Sequence, residues 1–315
     1  MKTRVRAKQA AIMVVATILV LFSAPTDSQA FRAAFIYTLS SFTGLIPYNH
    51  SRLAVDRERN EVYVLYQNTV RVFNESGMEV YRFGDDLDLG HIVDVALDQE
   101  GDILLLTYKD SRPEIIRCNY RGEPKSRIEL RNVPSAFSDF SPNRMVYQDG
   151  NIYLASLSGM QVLITDQEGN FKRGYDLFRL LELQEKDRGN VDIGGFSVDR
   201  EGNILLTVPV LFSAYVLSPH GTISAFGRPG GAPGRFNVVA GIARDGRGNY
   251  LVVDKLKAAV IVFDKTFKFL GQVGAWGHKP GNLIFPDEIA IDKHDRVYVT
   301  QMGKRGVSVY RLTYN

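Results

Sequence analysis

Apolar and polar positions alternate along this chain in short runs separated by polar turns, and one run returns six times. It reads Leu53-Ala-Val-Asp56, Val95-Ala-Leu-Asp98, Val146-Tyr-Gln-Asp149, Phe196-Ser-Val-Asp199, Ile242-Ala-Arg-Asp245 and Ile289-Ala-Ile-Asp292. Each copy leads into a turn such as Glu201-Gly-Asn203 and then a β-branched or aromatic run such as Val62-Tyr-Val-Leu-Tyr66. The Asp recurs every 42 to 51 residues. A repeat of that length holding short strands and turns predicts radially arranged four-stranded sheets. The fold expected is all-β, a six-bladed β-propeller of four-stranded antiparallel blades.

Blade one shows the unit: Leu53–Asp56, Val62–Tyr66, Val70–Phe73, the turn Asn74–Gly77 and Val80–Phe83. A four-stranded sheet cannot bury both faces alone, so stacking around a ring supplies the core. Blade six runs through Ile289–Asp292, Val297–Thr300 and Val307–Leu312, then lacks a fourth strand. The orphan run Ala34–Leu39 is expected to pair with Val307–Leu312 and close the ring, which removes two free edges. Around Tyr175–Lys186 the apolar spacing turns helical, predicting a short helix between blades three and four. The glycine-rich stretch Gly227–Gly234 opens no helix and lacks the Lys of a phosphate-binding loop.

Composition modifies this picture at the N-terminus. Lys2, Arg4, Arg6 and Lys8 precede the apolar stretch Ala10–Ala24, and Ser28-Gln-Ala30 has the small-x-small form of a cleavage site. Residues 1–30 are read as a secretory signal peptide and 31–315 as the propeller. An uncleaved anchor is the rival, but ~15 apolar residues fall short of the ~20 a membrane helix needs. The chain is formally +3, and that excess resides in the leader's four bases and single acid, Asp27. The remainder is near neutral, which argues against nucleic acid as a partner. A location in the periplasm or outside the cell, with no membrane span after cleavage and a monomeric state, follows as the expectation. Cys118 is the single cysteine, so no internal disulfide forms, and it reads as a half-buried strand residue.

The segment Phe226-Gly-Arg-Pro-Gly-Gly-Ala-Pro-Gly-Arg-Phe236 with Gly241-Ile-Ala-Arg-Asp-Gly-Arg-Gly-Asn249 resembles the NHL repeat. So does Gly274-Ala-Trp-Gly-His-Lys-Pro-Gly-Asn-Leu-Ile-Phe-Pro-Asp-Glu-Ile-Ala-Ile-Asp292. The other four copies are degenerate. The resemblance implies a six-bladed NHL-type propeller over residues 34–315. Most such propellers are binding scaffolds for proteins or polymers. A minority of related ones are enzymes, including peptidylglycine amidating lyase, streptogramin lyase and the gluconolactonase group.

Candidate chemistry lies where the inner strands begin, at one mouth of the central channel. Counting back from the repeated Asp selects Arg52, Asp94, Arg144, Asp287 and Glu288 as binding candidates. His50 and His91 enter adjacent blades at nearly equivalent positions. With Asp192 they form the candidate metal set, where the lyase resemblance would place zinc on histidines from three blades. Catalytic zinc takes three protein ligands, and blades three to six offer only Asp192. Asp94, Asp287 and Glu288 either hold Ca²⁺ or offset Arg52 and Arg144 in a solvated channel. The six repeated Asp residues are read as structural, bonding local backbone N–H groups. Trp276 alone in a loop offers slight support for glycan binding. Gly-x-Ser-x-Gly and His-Glu-x-x-His are both missing. The function expected is that of an exported, non-catalytic propeller presenting a loop face to a protein or polymer partner and needing no cofactor. The alternative is a metal-dependent lyase or lactonase with its site at the channel mouth.

Overall fold

A computed structural model describes residues 31–39, 50–85, 89–302 and 306–314; the leader read at 1–30 lies outside them. The chain opens with β1 (Phe31–Leu39). Blade one follows as β2 (Arg52–Asp56), β3 (Glu61–Tyr66), β4 (Thr69–Phe73) and β5 (Glu79–Phe83). Blade two is β6 (His91–Leu97), β7 (Ile103–Lys109), β8 (Arg112–Cys118) and β9 (Pro124–Ile128). Blade three is β10 (Arg144–Gln148), β11 (Asn151–Ser156), β12 (Gln161–Asp166) and β13 (Phe171–Asp176). After a helical turn, α1 (Leu177–Leu180), blade four runs β14 (Gly195–Val198), β15 (Ile204–Val208), β16 (Ser213–Leu217) and β17 (Ile223–Phe226). Blade five is β18 (Val239–Arg244), β19 (Tyr250–Asp254), β20 (Ala259–Phe263) and β21 (Phe269–Val273). Blade six ends the chain with β22 (Pro286–Ile291), β23 (Arg296–Gln301) and β24 (Val307–Tyr314). The architecture is the six-bladed propeller of four-stranded antiparallel sheets.

The ring closes as the orphan strand required. β1 pairs antiparallel with β24 from Phe31 opposite Tyr314 to Leu39 opposite Val307, longer than the run anticipated. The six first strands of the blades contact their neighbours around the axis, each with one edge unpaired within its sheet. Second strands such as Ile103–Leu106 are fully buried because adjacent blades cover both faces, which explains their unbroken apolar runs. Outer strands such as β5 and β9 face solvent.

The repeated Asp makes the turn expected of it in five blades. Asp98, Asp199, Asp245 and Asp292 each accept from the N–H groups two and four residues on, at 2.8–3.0 Å. Asp56 accepts from the N–H groups of Glu58 and Arg59. Asp149 departs from the reading. It and Gly150 form a two-residue turn with φ of 48° and 73° between the paired Gln148 and Asn151. Two consecutive positive φ values suit a tight hairpin and leave no longer loop to cap.

The short helix expected between blades three and four is present, and the half-burial expected of Cys118 is corrected. The helix between blades three and four is a single turn, capped by Asp176 accepting from the Arg179 N–H. Glu182 then takes a φ of 54°, which ends the turn, and a 3₁₀ segment follows over Glu185–Asn190. Cys118 is not half-buried but wholly so, at 0 % exposure. Burial, with the nearby Asp102 charge, pushes its thiol up to about 12, so it stays protonated and inert.

Candidate functional site

Inner strands begin, second strands end and outer strands finish at one end of the ring, here called the loop face. The opposite end, holding the Asp turns, is the turn face. At the loop face the inner strands are not equivalent. Gly195 and Gly241 occupy the positions of Arg52, Asp94, Arg144 and Glu288. A Cβ at Gly195 would fall 2.2 Å from the Ala240 oxygen, and one at Gly241 2.7 Å from the Asp287 oxygen. Only glycine permits that approach. Bulges then aim the carboxylates. In β6 the register shifts between Ile92 and Asp94. In β22 Asp287 and Glu288 together oppose Thr300, whose hydroxyl accepts from the Glu288 N–H at 2.9 Å. A bulge at a strand's start re-aims its side chains in this way.

The result is a buried ion cluster at the axis, built from four blades. Arg144 holds Glu288 through both guanidinium ends, with Nη2 to Oε2 at 2.9 Å and a second, shorter bond from Nη1 to Oε1. Arg52 Nη1 donates to the same Oε1 at 2.9 Å. Arg144 Nε stands 3.4 Å from Asp94 Oδ2, which accepts from the Met145 N–H at 2.7 Å. Asp94, Arg144 and Glu288 are each under a tenth exposed. Burial pushes Glu288 upward, but Arg144 and Arg52 outweigh it and hold the carboxyl below its ordinary value. For Asp94 burial prevails over the same two arginines, and its carboxyl is raised. Burial would lower Arg144, yet Glu288 and Asp94 raise it overall.

Asp287 belongs to a neighbouring pair, with Lys255 Nζ on Oδ1 at 2.6 Å and His50 Nδ1 at 3.7 Å from Oδ2. Lys255 was absent from the sequence reading because it lies in the loop from β19 to β20. Counting the ends of second strands, as well as the starts of inner ones, would have found it.

His50 and His91 line one depression of about 330 Å³ on the loop face, together with Arg52, Gln67, Ile92 and Asn143. Asp192 is exposed and lines neither this depression nor the axial cavity. Among the described residues, His50, His91 and Asp192 do not converge at metal-binding reach. The residues therefore do not fit a three-ligand zinc centre. Asp94, Asp287 and Glu288 each carry an arginine or lysine partner already, which leaves no carboxylate free for Ca²⁺. The cluster is buried, so its charges compensate one another out of solvent and not in a solvated channel. One acidic group does converge elsewhere. Asp98, Glu100 and Asp102 sit on the turn face, met by Arg117 and Lys125.

Beneath the ion cluster, toward the turn face, runs an axial cavity of about 470 Å³. Asp94, Arg144 and Glu288 form its floor; Val95, Val146, Phe196 and Ile289 are among its walls.

The loop face over blades four to six has a different character. Val210, Phe212, Leu256, Trp276 and Phe285 are all exposed there, Trp276 at 66 % and Leu256 at 58 %. Phe212 and Phe285 stand at positive φ, 51° and 44°, a conformation bulky residues seldom adopt. The loops carrying them, 209–213, 227–238, 255–258 and 274–285, contain Arg228, Arg235, Lys255, Lys257 and Lys279 and no Asp or Glu. Lys257 Nζ ties two loops together by donating to the Gly231 and Ala232 oxygens.

A family described as a 6-bladed beta-propeller matches residues 242–315. No curated protein sequence matches the chain. A structural-genomics protein of unknown function from Bacteroides thetaiotaomicron is similar at a TM-score of 0.65 and 14 % identity, over 90 % of this chain and 77 % of that one. Streptogramin B lyase is similar at 0.58 and 11 %, over 90 % and 98 %. A gluconolactonase from Xanthomonas campestris is similar at 0.55 and 15 %, over 90 % of each chain. At such identities the likeness extends to the fold alone. No helix among the described residues is long and apolar enough to cross a membrane.

Proposed function

We propose that this chain is an exported, non-catalytic binding propeller whose loop face over blades four to six docks an acidic, apolar segment of a protein partner. The observation that carries the reading is the concentration of exposed Val210, Phe212, Leu256, Trp276 and Phe285 on three consecutive blades, in loops with five lysines and arginines and no acid. An exposed Trp beside Leu and Phe supplies large apolar contact area to a partner. Exposed cations such as Arg228 and Arg235 select an acidic partner and speed its encounter. The channel-mouth residues support the same reading. Arg52, Asp94, Arg144 and Glu288 are engaged with one another, so they brace the ring.

The test is affinity capture from the exported fraction, with Trp276→Asp/Leu256→Asp compared against Tyr120→Asp. Tyr120 is equally exposed but lies in a turn at the opposite end. A partner retained by wild type and by Tyr120→Asp, and lost at least tenfold in the double variant, is the expected result. Near-stoichiometric zinc in the purified chain, removed by His50→Ala/His91→Ala, would overturn the reading in favour of a metal-dependent lyase or lactonase.

A further inference from the structure

The turn-face lip of the axial cavity is set by the repeat itself. Arg57 and Gln99, each directly after its repeated Asp, line the cavity there, and so does Asp149, which the short hairpin of blade three puts at the equivalent position; blades four and six carry Arg200 and Lys293 after their Asp. Three of these residues are cations, and the one acid, Asp149, is exposed. Blades one and four lie opposite in a six-membered ring, so Arg57 and the exposed Arg200 sit on opposite sides of the lip, near enough for the charge of Arg200 to act on Arg57.

Arg57 lines the cavity and is only partly exposed. No hydrogen bond or ion pair to a described residue engages its guanidinium. Burial, and then the like charge of Arg200, hold it below its usual range; Asp292 is the acid that acts against this. Asp292 is itself engaged by Arg296 and by the Tyr298 hydroxyl. Other carboxylates on the lip are engaged or turned to solvent: Asp56 is paired with Arg59, Asp98 with Arg117, and Glu58, Glu100 and Asp149 are exposed. Lys293 donates to the Glu58 backbone oxygen. A partly buried guanidinium without a paired carboxylate is a ready acceptor of an anion, and its planar fork matches a carboxylate or phosphate.

The space behind it suits a ligand. A cavity of about 470 Å³ is of the size that holds small molecules. Its walls combine Val95, Val146, Phe196 and Ile289 with the unpaired edges of the inner strands, which offer N–H and C=O groups. Its floor is the compensated Arg144–Glu288 pair, which attracts no second anion. We propose that Arg57 and Arg200 clamp the oxyanion group, carboxylate or phosphate ester, of a small acid whose body enters the axial cavity from the turn face. The site lies on the face opposite the docking loops and stands whether or not that docking exists.

The experiment is isothermal titration of the chain at low salt with benzoate, hexanoate, phenyl phosphate, inorganic phosphate and neutral benzyl alcohol. Benzoate or hexanoate binding against phenyl phosphate binding separates the two oxyanions, and inorganic phosphate alone tests whether the body is needed. At least one acid with an organic body should bind, benzyl alcohol should not, and Arg57→Gln should weaken binding at least tenfold. Arg57→Lys should retain part of it, and Arg228→Gln on the other face should change nothing. If Arg57→Gln fails to fold, Arg200→Gln takes its place. No binding by any acid, or binding indifferent to loss of either arginine, would overturn the proposal.

Discussion

Glu288 sits where two opposing effects are both large, and the sign of their difference decides what it does for the protein. Burial alone would favour its neutral form, but Arg144 and Arg52 hold it below its ordinary 4.5. A carboxyl lowered on folding adds stability above its unfolded value, and that stability is lost as pH falls through the lower folded value. Asp94 has the opposite sign, raised above 3.8 by burial. Its ionised form opposes folding at neutral pH, and protonation on acidification relieves that strain. Removing one member of a buried pair leaves the other uncompensated, at a cost of about 3–5 kcal/mol. Glu288→Ala should lose about that much in urea denaturation at pH 7, and the gap to wild type should shrink as pH falls below the ordinary glutamate range and through the lowered value of Glu288. Glu288→Ala with Arg144→Met should recover most of the loss. An unchanged gap at low pH would mean that Glu288 acts through shape alone. Counting back from the repeated Asp reached all four cluster members. That acids and arginines there offset one another was one reading of the sequence; the burial of the cluster and the choice of partners were not legible, because they depend on the bulges that turn Asp94 and Glu288 inward and on the backbone approach at Gly195 and Gly241. Those are facts of three dimensions with no one-residue signature.

The Asp turn is the element the chain repeats, and its variations expose where it is imperfect. In blades four and five the residue four positions after the Asp is Asn, whose amide donates to the second carboxylate oxygen: Asn203 to Asp199 at 2.8 Å and Asn249 to Asp245 at 2.9 Å. Blade six uses Arg296 for the same purpose. Blade two has Asp102 there, an acceptor facing an acceptor. Asp98 Oδ2 is accordingly buried without a hydrogen bond, its nearest cation being Arg117 Nε at 3.6 Å. Asp102→Asn should supply the missing donor and relieve the acid pair, a gain of about 1 kcal/mol. It forgoes the ion pair with Lys125, which is half exposed and contributes little. Urea midpoints of wild type and variant decide this, and a destabilised variant would show that Lys125 matters more than the turn. The turn itself was legible from Asp followed by Gly and Asn. Blade three escaped because Asp149-Gly150 is so short that the same Asp becomes a hairpin residue.

At the scale of the molecule the propeller's weak point is its seam. Five blades are built from consecutive strands, but blade six joins β1 to β22, β23 and β24, so the two ends of the chain must meet. A contact spanning the whole sequence is slow to form, because loop closure precedes any gain from pairing. Blade six is therefore expected to complete last. The seam is also well packed: Phe31 is 4 % exposed and Leu39 0 %, and Phe31 fits against Tyr314 and Phe35 against Tyr310. A chain beginning at residue 40 would leave the long edge of β24 bare and open the groove those rings fill. It should unfold at lower urea, with a smaller denaturant slope, since less surface is buried in the native state. It should also self-associate through the free edge, read as a rise in mass by light scattering that grows with concentration. Adding the peptide of residues 31–39 in excess should reverse both effects, because the strand binds the folded ring and not the unfolded chain. A truncated chain that stays monomeric with an unchanged midpoint would show that five blades and the β22–β24 hairpins suffice, and that the seam ornaments a ring already closed by its inner strands.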